Sequence, residues 1–324
     1  MVTGIGLFSG GLDSILAIKV LQEQDINIIA VTFVTPFFGS EKAEKASAYL
    51  DIDHRIIDIT EIHLKMLQNP KHGYGKQLNP CIDCHAMMFR QAGKIMEQEG
   101  ADFLFSGEVL GERPMSQNKK SLKLVSEESG YADVIIRPLS AKLLPETQPE
   151  RDGKVDREQL LSISGRSRKP QIKLAKRFGI TDYDQPAGGC LLTDKEYIRR
   201  LKELKDHNLI VKPRDAHLLN VGRHFRLADG NKIIVGRDQA DNENIMEMAN
   251  DSDVIMRVRD YPSPVTLIPY GGTINDINTA ASICVRYSDA PGGEEVLVRY
   301  KNGGKTEEIE ASAYPDERLE KIRI

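Results

Sequence analysis

The sequence predicts an α/β fold, a doubly wound parallel sheet followed by a second, smaller α+β domain. Three observations carry this. Short apolar runs alternate with segments of helical periodicity through the first half. A Gly-rich turn, Ser9-Gly10-Gly11, divides the first apolar run from the first helical segment. From about Arg214 the pattern changes to short strand-like runs separated by glycine turns. A chain of 324 residues is long enough for two cores, and the boundary is expected near residue 210, giving domains 1–210 and 211–324.

Thr3 to Phe8 is small and apolar and reads as a strand, and Ser14 to Leu21 places Ile15, Leu16, Ile18 and Leu21 at helical spacing. Ile28 to Val34 is β-branched and closed by Thr35-Pro36, a second buried strand. Ser40 to Leu50 is a helix with Ala43, Ala46 and Leu50 inward, and His54 to Ile59 is a strand. A helix over Ala86 to Gln98 ends at Gly100 and feeds the strand Asp102 to Ser106. The Pro- and charge-rich stretch Leu144 to Arg157 is a surface loop; Gln159 to Ser164 and Lys169 to Phe178 read as helices. Ile180 to Thr193 is a loop around Cys190, and Asp194 to Asp206 is a charged helix. Beyond it, strands are expected at His224 to Leu227, Lys232 to Gly236, Val254 to Val258, Val265 to Pro269, Ser282 to Tyr287 and Glu295 to Tyr300. Turns at Asp229-Gly230, Gly271-Gly272, Gly292-Gly293 and Asn302-Gly303 divide some of these runs.

The composition, 40% hydrophobic, 28% charged and 6% aromatic, is that of a folded globular chain and excludes collagenous, low-complexity or wholly disordered classes. The first residues lack a basic region leading into a long apolar one, and no run of about 18 apolar residues occurs, so a cytoplasmic location without membrane insertion is expected. Four cysteines are too few for a disulfide scaffold. The net charge of −4 announces no nucleic-acid partner. Arg137 to Arg177, however, holds eleven basic against five acidic side chains, densest at Arg166, Arg168 and Lys169 with Lys173, Lys176 and Arg177 behind, and is a candidate for phosphate contact, RNA included. A solvated helix face is the plainer account of the same charges.

Ser9-Gly10-Gly11-Leu12-Asp13-Ser14, between strand and helix, offers free backbone N–H groups at the positive end of a helix dipole, with Ser9 and Ser14 as hydroxyl donors and Asp13 to hold Mg2+ against a polyphosphate. Without Gly-Lys-Ser/Thr it is no Walker loop. The hexapeptide resembles the pyrophosphatase (PP) loop of the N-type ATP pyrophosphatases. The resemblance implies an adenine nucleotide alpha hydrolase-like domain that splits ATP into AMP and pyrophosphate to adenylate a carbonyl-type oxygen. It also implies adenine lying against Val31 to Thr35, with Thr32 and Phe33 central, and Ser106-Gly107-Glu108 closing the other side.

Cys81 and Cys84 lie in Asn79-Pro80-Cys81-Ile82-Asp83-Cys84-His85, just ahead of a helix whose N-terminus lowers thiol pKa, and Cys190 follows Ala187-Gly188-Gly189. Three thiolates suit a 4Fe-4S cluster with one open iron, or two sulfur-handling cysteines and a bystander; zinc would recruit His85 as a fourth ligand. Cys284 reads as a strand core residue. In order and context these motifs resemble those of tRNA thiolation enzymes, the 2-thiouridylase MnmA (TrmU) and the catalytic domain of the 4-thiouridine synthetase ThiI, over roughly residues 1 to 205. By that resemblance Cys84 and Cys190 carry the sulfur chemistry. MnmA usually has Asp where Cys81 stands, and that difference tilts the reading toward a cluster held by Cys81, Cys84 and Cys190.

Gly222-Arg223-His224-Phe225-Arg226, Ile234-Val235-Gly236-Arg237 and Asp241-Asn242-Glu243 resemble the RNA-binding domain of NFACT proteins, implying phosphate contacts from Arg223, Arg226 and Arg237 with His224 and Phe225 stacking on bases. Residues 196 to 324 hold 19 basic and 22 acidic side chains, so any such contact is a local patch. Together these readings describe an ATP-dependent tRNA sulfurtransferase that adenylates a uridine carbonyl and replaces its oxygen with sulfur from a persulfide carrier or sulfide. Asp13, Cys84 and Cys190 are the reactive residues. A ligase or amidotransferase acting on a small metabolite keeps the ATP site and changes the acceptor. The same motifs also admit a cluster-dependent desulfidase of thiolated bases or a catalytically silent RNA-binding module.

Overall fold

The computed structural model describes residues 1–183, 189–207 and 211–324. The chain divides into two compact units, Met1–Asp194 and Lys195–Ile324. The division falls earlier than the expected 210 because the helix Lys195–Asp206 bonds within the second unit: Tyr197 Oη donates to the Ala216 carbonyl at 2.7 Å, and Arg200 to the carbonyls of Leu219 and Gly222 at 2.7 and 3.1 Å.

In the first unit β1 (Thr3–Leu7), α1 (Leu12–Gln22), β2 (Asn27–Val34), α2 (Glu41–Leu50), β3 (Asp53–Asp58), α3 (Thr60–Gln68), α4 (Cys81–Glu99), β4 (Phe103–Ser106), α5 (Lys119–Ser129), β5 (Ile135–Ile136), α6 (Gln148–Arg151) and α7 (Lys169–Arg177) follow in order. The strands form one parallel sheet, order β3-β2-β1-β4-β5. Alternate side chains serve opposite faces, as the pleat requires. Ile28, Ala30, Phe103 and Phe105 pack with Leu12, Leu16 and Val20 of α1, while Ile29, Val31, Phe33 and Leu104 pack with Phe89 and Ala92 of α4 and Val125 of α5. Each fully buried Phe or Leu contributes about 1.5–3 kcal/mol of transfer free energy. Chain order reverses between β1 and β4, so the loops after these strands flank the crevice where doubly wound sheets bind ligands.

Three expectations for this unit are corrected by the structure. α4 begins at Cys81, which places both cysteines inside its first turn rather than ahead of it. Gln159 to Ser164 is not helical: Leu161 and Ile163 donate to the carbonyls of Pro138 and Leu139 at 2.9 and 2.8 Å, and this long-range extended pairing overrides local periodicity. The Leu144 to Arg157 loop contains the one-turn helix α6, opened by Thr147 and Glu150 as reciprocal caps.

The second unit runs α8 (Lys195–Asp206), α9 (Pro213–Leu218), β6 (Arg223–Arg226), β7 (Lys232–Val235), α10 (Gln239–Met248), β8 (Val254–Val258), β9 (Thr266–Ile268), α11 (Ile274–Arg286), β10 (Val296–Asn302), β11 (Lys305–Ala311) and α12 (Asp316–Ile322). Its strands form an antiparallel sheet, order β11-β10-β8-β9-β7-β6. The expected strand Ser282 to Tyr287 is the end of α11, so Cys284 is core as expected but helical. Ile277, Ala280, Ala281, Cys284 and Val285 form its buried stripe, and Thr273 and Asp276 cap it reciprocally. That Thr-x-x-Asp start is the signal that outranks the alternation of six residues. β11 was not expected because its residues are mostly charged, the usual protection of an edge strand. Among the described residues no helix is long and apolar enough to cross a membrane.

Candidate active site

Ser9 to Ser14 joins β1 to α1 as expected. Ser14 Oγ donates to the Gly11 carbonyl at 2.8 Å, and the Gly11 N–H meets Ser9 Oγ at 3.4 Å, folding the loop back on the helix start. Gly10 has φ +70°, and a Cβ there would lie 2.3 Å from the Lys42 carbonyl group of α2. From the other side Gly107, just past β4, comes so close that a Cβ would stand 2.5 Å from the backbone of Asp13. Both glycines are therefore required by close approach of backbones. Ser106 is buried behind Gly107, and its hydroxyl donates to Glu108 at 3.1 Å.

Thr32 and Phe33 have their side chains inside the protein. Thr32 Oγ1 donates to the Phe8 carbonyl at 2.6 Å and accepts from His54 Nε2 at 2.8 Å, while Phe33 is core on the α4 face. Only their backbone is left to meet an adenine.

The Asp13 carboxyl is raised by burial, against the opposing effects of Arg168, Gln171 and Arg113. Glu112 is raised by its own burial and by Asp13. The pattern of two carboxylates and two guanidiniums beside a phosphate loop suits a polyphosphate with its cation. Asp13 Oδ1 is buried without a hydrogen-bond partner, so the carboxylate has capacity for Mg2+, which takes few protein ligands alongside phosphates. Arg168, expected to face RNA, is thus brought into this site, while Arg166 and Lys169 are exposed. Much of the surrounding basic segment is paired: Arg137 with Glu108, Lys142 with Glu158, Arg151 with Asp133, Lys154 with Asp102, Arg157 with Glu150 and Arg177 with Glu23.

Behind the crevice lies a buried charge network that the sequence did not disclose. Glu108 accepts from Arg137 Nε at 2.9 Å and from His85 Nδ1 at 2.8 Å. Burial alone would raise its carboxyl, but Arg137 and then His85 overcome that and hold it at about 2. His85 is accordingly tied to a carboxylate through Nδ1, which leaves Nε2 as its ligating atom.

Cys84 is buried in the first turns of α4, its Sγ 3.5 Å from Nε2 of His63 on α3. Burial drives the thiol well above its usual value and the imidazole down to about 4. The pair is therefore neutral. His63 was missed because nothing local marks it; its ring lies between Phe37 and Phe38, centroids 5.2 and 5.6 Å away. The Leu191 N–H donates to the Phe37 carbonyl at 2.9 Å, which brings Cys190 to the same corner, and the charges of Cys81 and Cys190 both act on Cys84. Burial raises Cys190 to about 11. Ala187 and Gly188 of its expected loop lie outside the described residues. Cys81 receives the Asn79 amide at 3.2 Å. Among the described residues no three His, Cys, Asp or Glu side chains converge closely enough to hold one metal ion. Cys81, Cys84 and Cys190 nonetheless share one corner, within electrostatic reach of one another.

In the second unit the expected stacking residues are core: His224 is 1% and Phe225 0% exposed. Arg226 donates two hydrogen bonds to Glu203 at 2.5 and 2.9 Å, Arg237 is paired with Asp241, and Arg223 lies over the Tyr287 ring while donating to the Gly236 carbonyl. These arginines hold the unit together.

A parallel α/β unit with a non-Walker phosphate loop at its switch point, followed by an antiparallel unit, is the class that fold and site define. Residues 2–142 match the family model described as thiamine biosynthesis protein (ThiI), and residues 222–323 match that of the NFACT protein RNA binding domain. Each match lies within one of the two compact units, and each is a likeness over those residues. A probable tRNA sulfurtransferase of Oceanobacillus iheyensis is 30% identical over 142 residues, 41% of this chain and 34% of that protein. The tRNA-specific 2-thiouridylase MnmA of Desulforudis audaxviator is 28% identical over 115 residues, 33% of this chain and 32% of that one. The chain spans about a third of the length of these relatives. A solved 4-thiouridine synthetase, in complex with RNA and ATP, overlaps 55% of this chain and 51% of its own at 20% identity and TM-score 0.34, too weak a likeness to bear on function.

Proposed function

We propose that this protein is an ATP-dependent tRNA sulfurtransferase. The observation that carries the proposal is the juxtaposition, in one unit, of a phosphate loop at the switch point with a buried Cys84–His63 pair that Cys190 approaches. The ThiI-type and NFACT-type matches support the same reading.

ATP binds with its phosphates on the Ser9 to Ser14 backbone and its adenine against the Thr32–Phe33 backbone; Asp13 would hold Mg2+, which neutralises phosphate charge when bound. A uridine carbonyl oxygen attacks the α-phosphorus, pyrophosphate leaves, and the oxygen becomes part of a good leaving group, AMP. Cys190, the less buried thiol, carries sulfane sulfur received from a persulfide donor. Its terminal sulfur attacks the activated carbon and AMP departs. Cys84 attacks the Cys190 sulfur, its proton passing to the departing thiouridine as the S–S bond breaks, and leaves a Cys84–Cys190 disulfide for a thiol reductant. The sulfur step is assigned to thiols on the Cys84–His63 contact and the approach of Cys190 to it. Arg166 and Lys169 are exposed for RNA contact, and the NFACT-type unit supplies the remainder, with Arg223 and Arg237 contributing through whatever surface their internal pairings leave.

The test is anaerobic incubation with unmodified tRNA, ATP, Mg2+ and a persulfide donor, with nucleoside mass spectrometry, pyrophosphate release and iron analysis. Thiouridine is expected, abolished in Cys84→Ala and Cys190→Ala while RNA-dependent pyrophosphate release persists. Pyrophosphate release that ignores RNA but requires a small carboxylate supports the ligase reading instead. About four irons per chain, lost with each cysteine, would move sulfur from the thiols to a cluster.

A further inference from the structure

Four buried polar atoms that lack hydrogen-bond partners belong to one place: Asp13 Oδ1, Arg168 Nε, and the amide oxygen and nitrogen of Gln171. Three segments meet there. α1 carries Asp13 in its first turn and packs on α7. The loop after β4 presses Gly107 onto the Asp13 backbone. The same loop is tied to the approach of α7, Gly165 N–H donating to the Leu110 carbonyl at 2.8 Å. Gln171, in the first turn of α7, is 0% exposed. Its amide already acts on the Asp13 carboxyl as a hydrogen-bond donor, but the contact falls short of full hydrogen-bond geometry and neither amide atom has another partner.

A primary amide buried without a full partner is destabilising, because its lost hydration is not replaced. An apolar side chain of the same size would avoid that cost in the wall between α1 and α7. The nearest partner for the amide is the carboxylate that faces the phosphate loop.

We propose that Gln171 is a positioning residue for Asp13. When the nucleotide and its cation occupy the site, Gln171 Nε2 donates to the buried Oδ1, fixes the carboxylate's rotation and leaves the other oxygen for the cation. The inference rests on the nucleotide-binding part of the proposed function. It also separates the segment assigned by charge to RNA: Arg168 and Gln171 face the nucleotide site, while Arg166 and Lys169 are exposed.

The test uses the full chain and Mn2+ as probe, followed by electron paramagnetic resonance in the presence of a non-hydrolysable ATP analogue, alongside thermal melting. Gln171→Leu and Gln171→Met are expected to melt no lower than the wild type, because each removes an unpaired amide, yet to bind Mn2+ with the analogue about tenfold more weakly. Adding Gln171→Leu to Asp13→Asn is expected to cause no further loss, since the first acts through the second. Lower melting with unchanged Mn2+ binding, or losses that add in the double variant, overturns the inference. A wild type that binds neither analogue nor Mn2+ overturns the nucleotide reading itself, and the inference with it.

Discussion

Replacing Glu108 by Gln tests whether the buried network behind the crevice is electrostatic. Glu108 and Arg137 are 7% and 6% exposed, and Arg137 spends its other nitrogens on Ser126 Oγ and the Leu122 carbonyl at 3.2 and 3.3 Å. A glutamine keeps one acceptor but turns its NH2 toward either Arg137 or His85, both donors, leaving a buried guanidinium without its counter-charge. Breaking a buried pair from one side costs about 3–5 kcal/mol. The carboxyl's depression from 4.5 to about 2 gives roughly 3 kcal/mol independently. Because the folded-state value is lowered, this stability is fully present above the unfolded value and is lost as pH falls through the folded one. The Glu108→Gln deficit is therefore expected at neutral pH and expected to shrink between pH 4.5 and about 2. With no tryptophan in the chain, urea unfolding is followed by circular dichroism, with amide hydrogen exchange in α4 and β4 reporting the first unit alone. A deficit under about 1 kcal/mol, or one of equal size at both ends of that range, refutes the account.

Gly10→Ala combines a left-handed backbone with a Cβ driven into the Lys42 carbonyl, and is expected to lose ATP retention in equilibrium dialysis with destabilisation of about 1–3 kcal/mol; retention equal to wild type would show that the loop shifts freely. Burial raises both the Cys84 and the Cys190 thiols, so peptide mass spectrometry after iodoacetamide treatment at neutral pH is expected to find both slowly alkylated, with rates climbing as pH rises toward the alkaline range. Rapid alkylation of Cys84 at neutral pH would contradict its neutral pairing with His63.

The sequence by itself determined the strand, loop and helix around Ser9 to Ser14, the succession of β1 to β4, and most strands of the second unit, because those follow from residues a few positions apart: periodicity, glycine turns and β-branched runs. It also singled out Cys84 and Cys190, but not His63, the partner of Cys84, because that contact crosses 21 positions. Tertiary structure alone decided which charges are spent. Arg137 and Glu108, 29 residues apart, neutralise each other in the interior; Arg226 is consumed by Glu203, and Arg168 is drawn from the basic run to Asp13. His224 and Phe225 sit in the core, while Arg223 covers Tyr287. Sequence periodicity reports which face of an element is apolar. Whether a charge on the other face meets solvent, a ligand or an opposite charge depends on which distant segment folds against it, and that is fixed only when the chain closes.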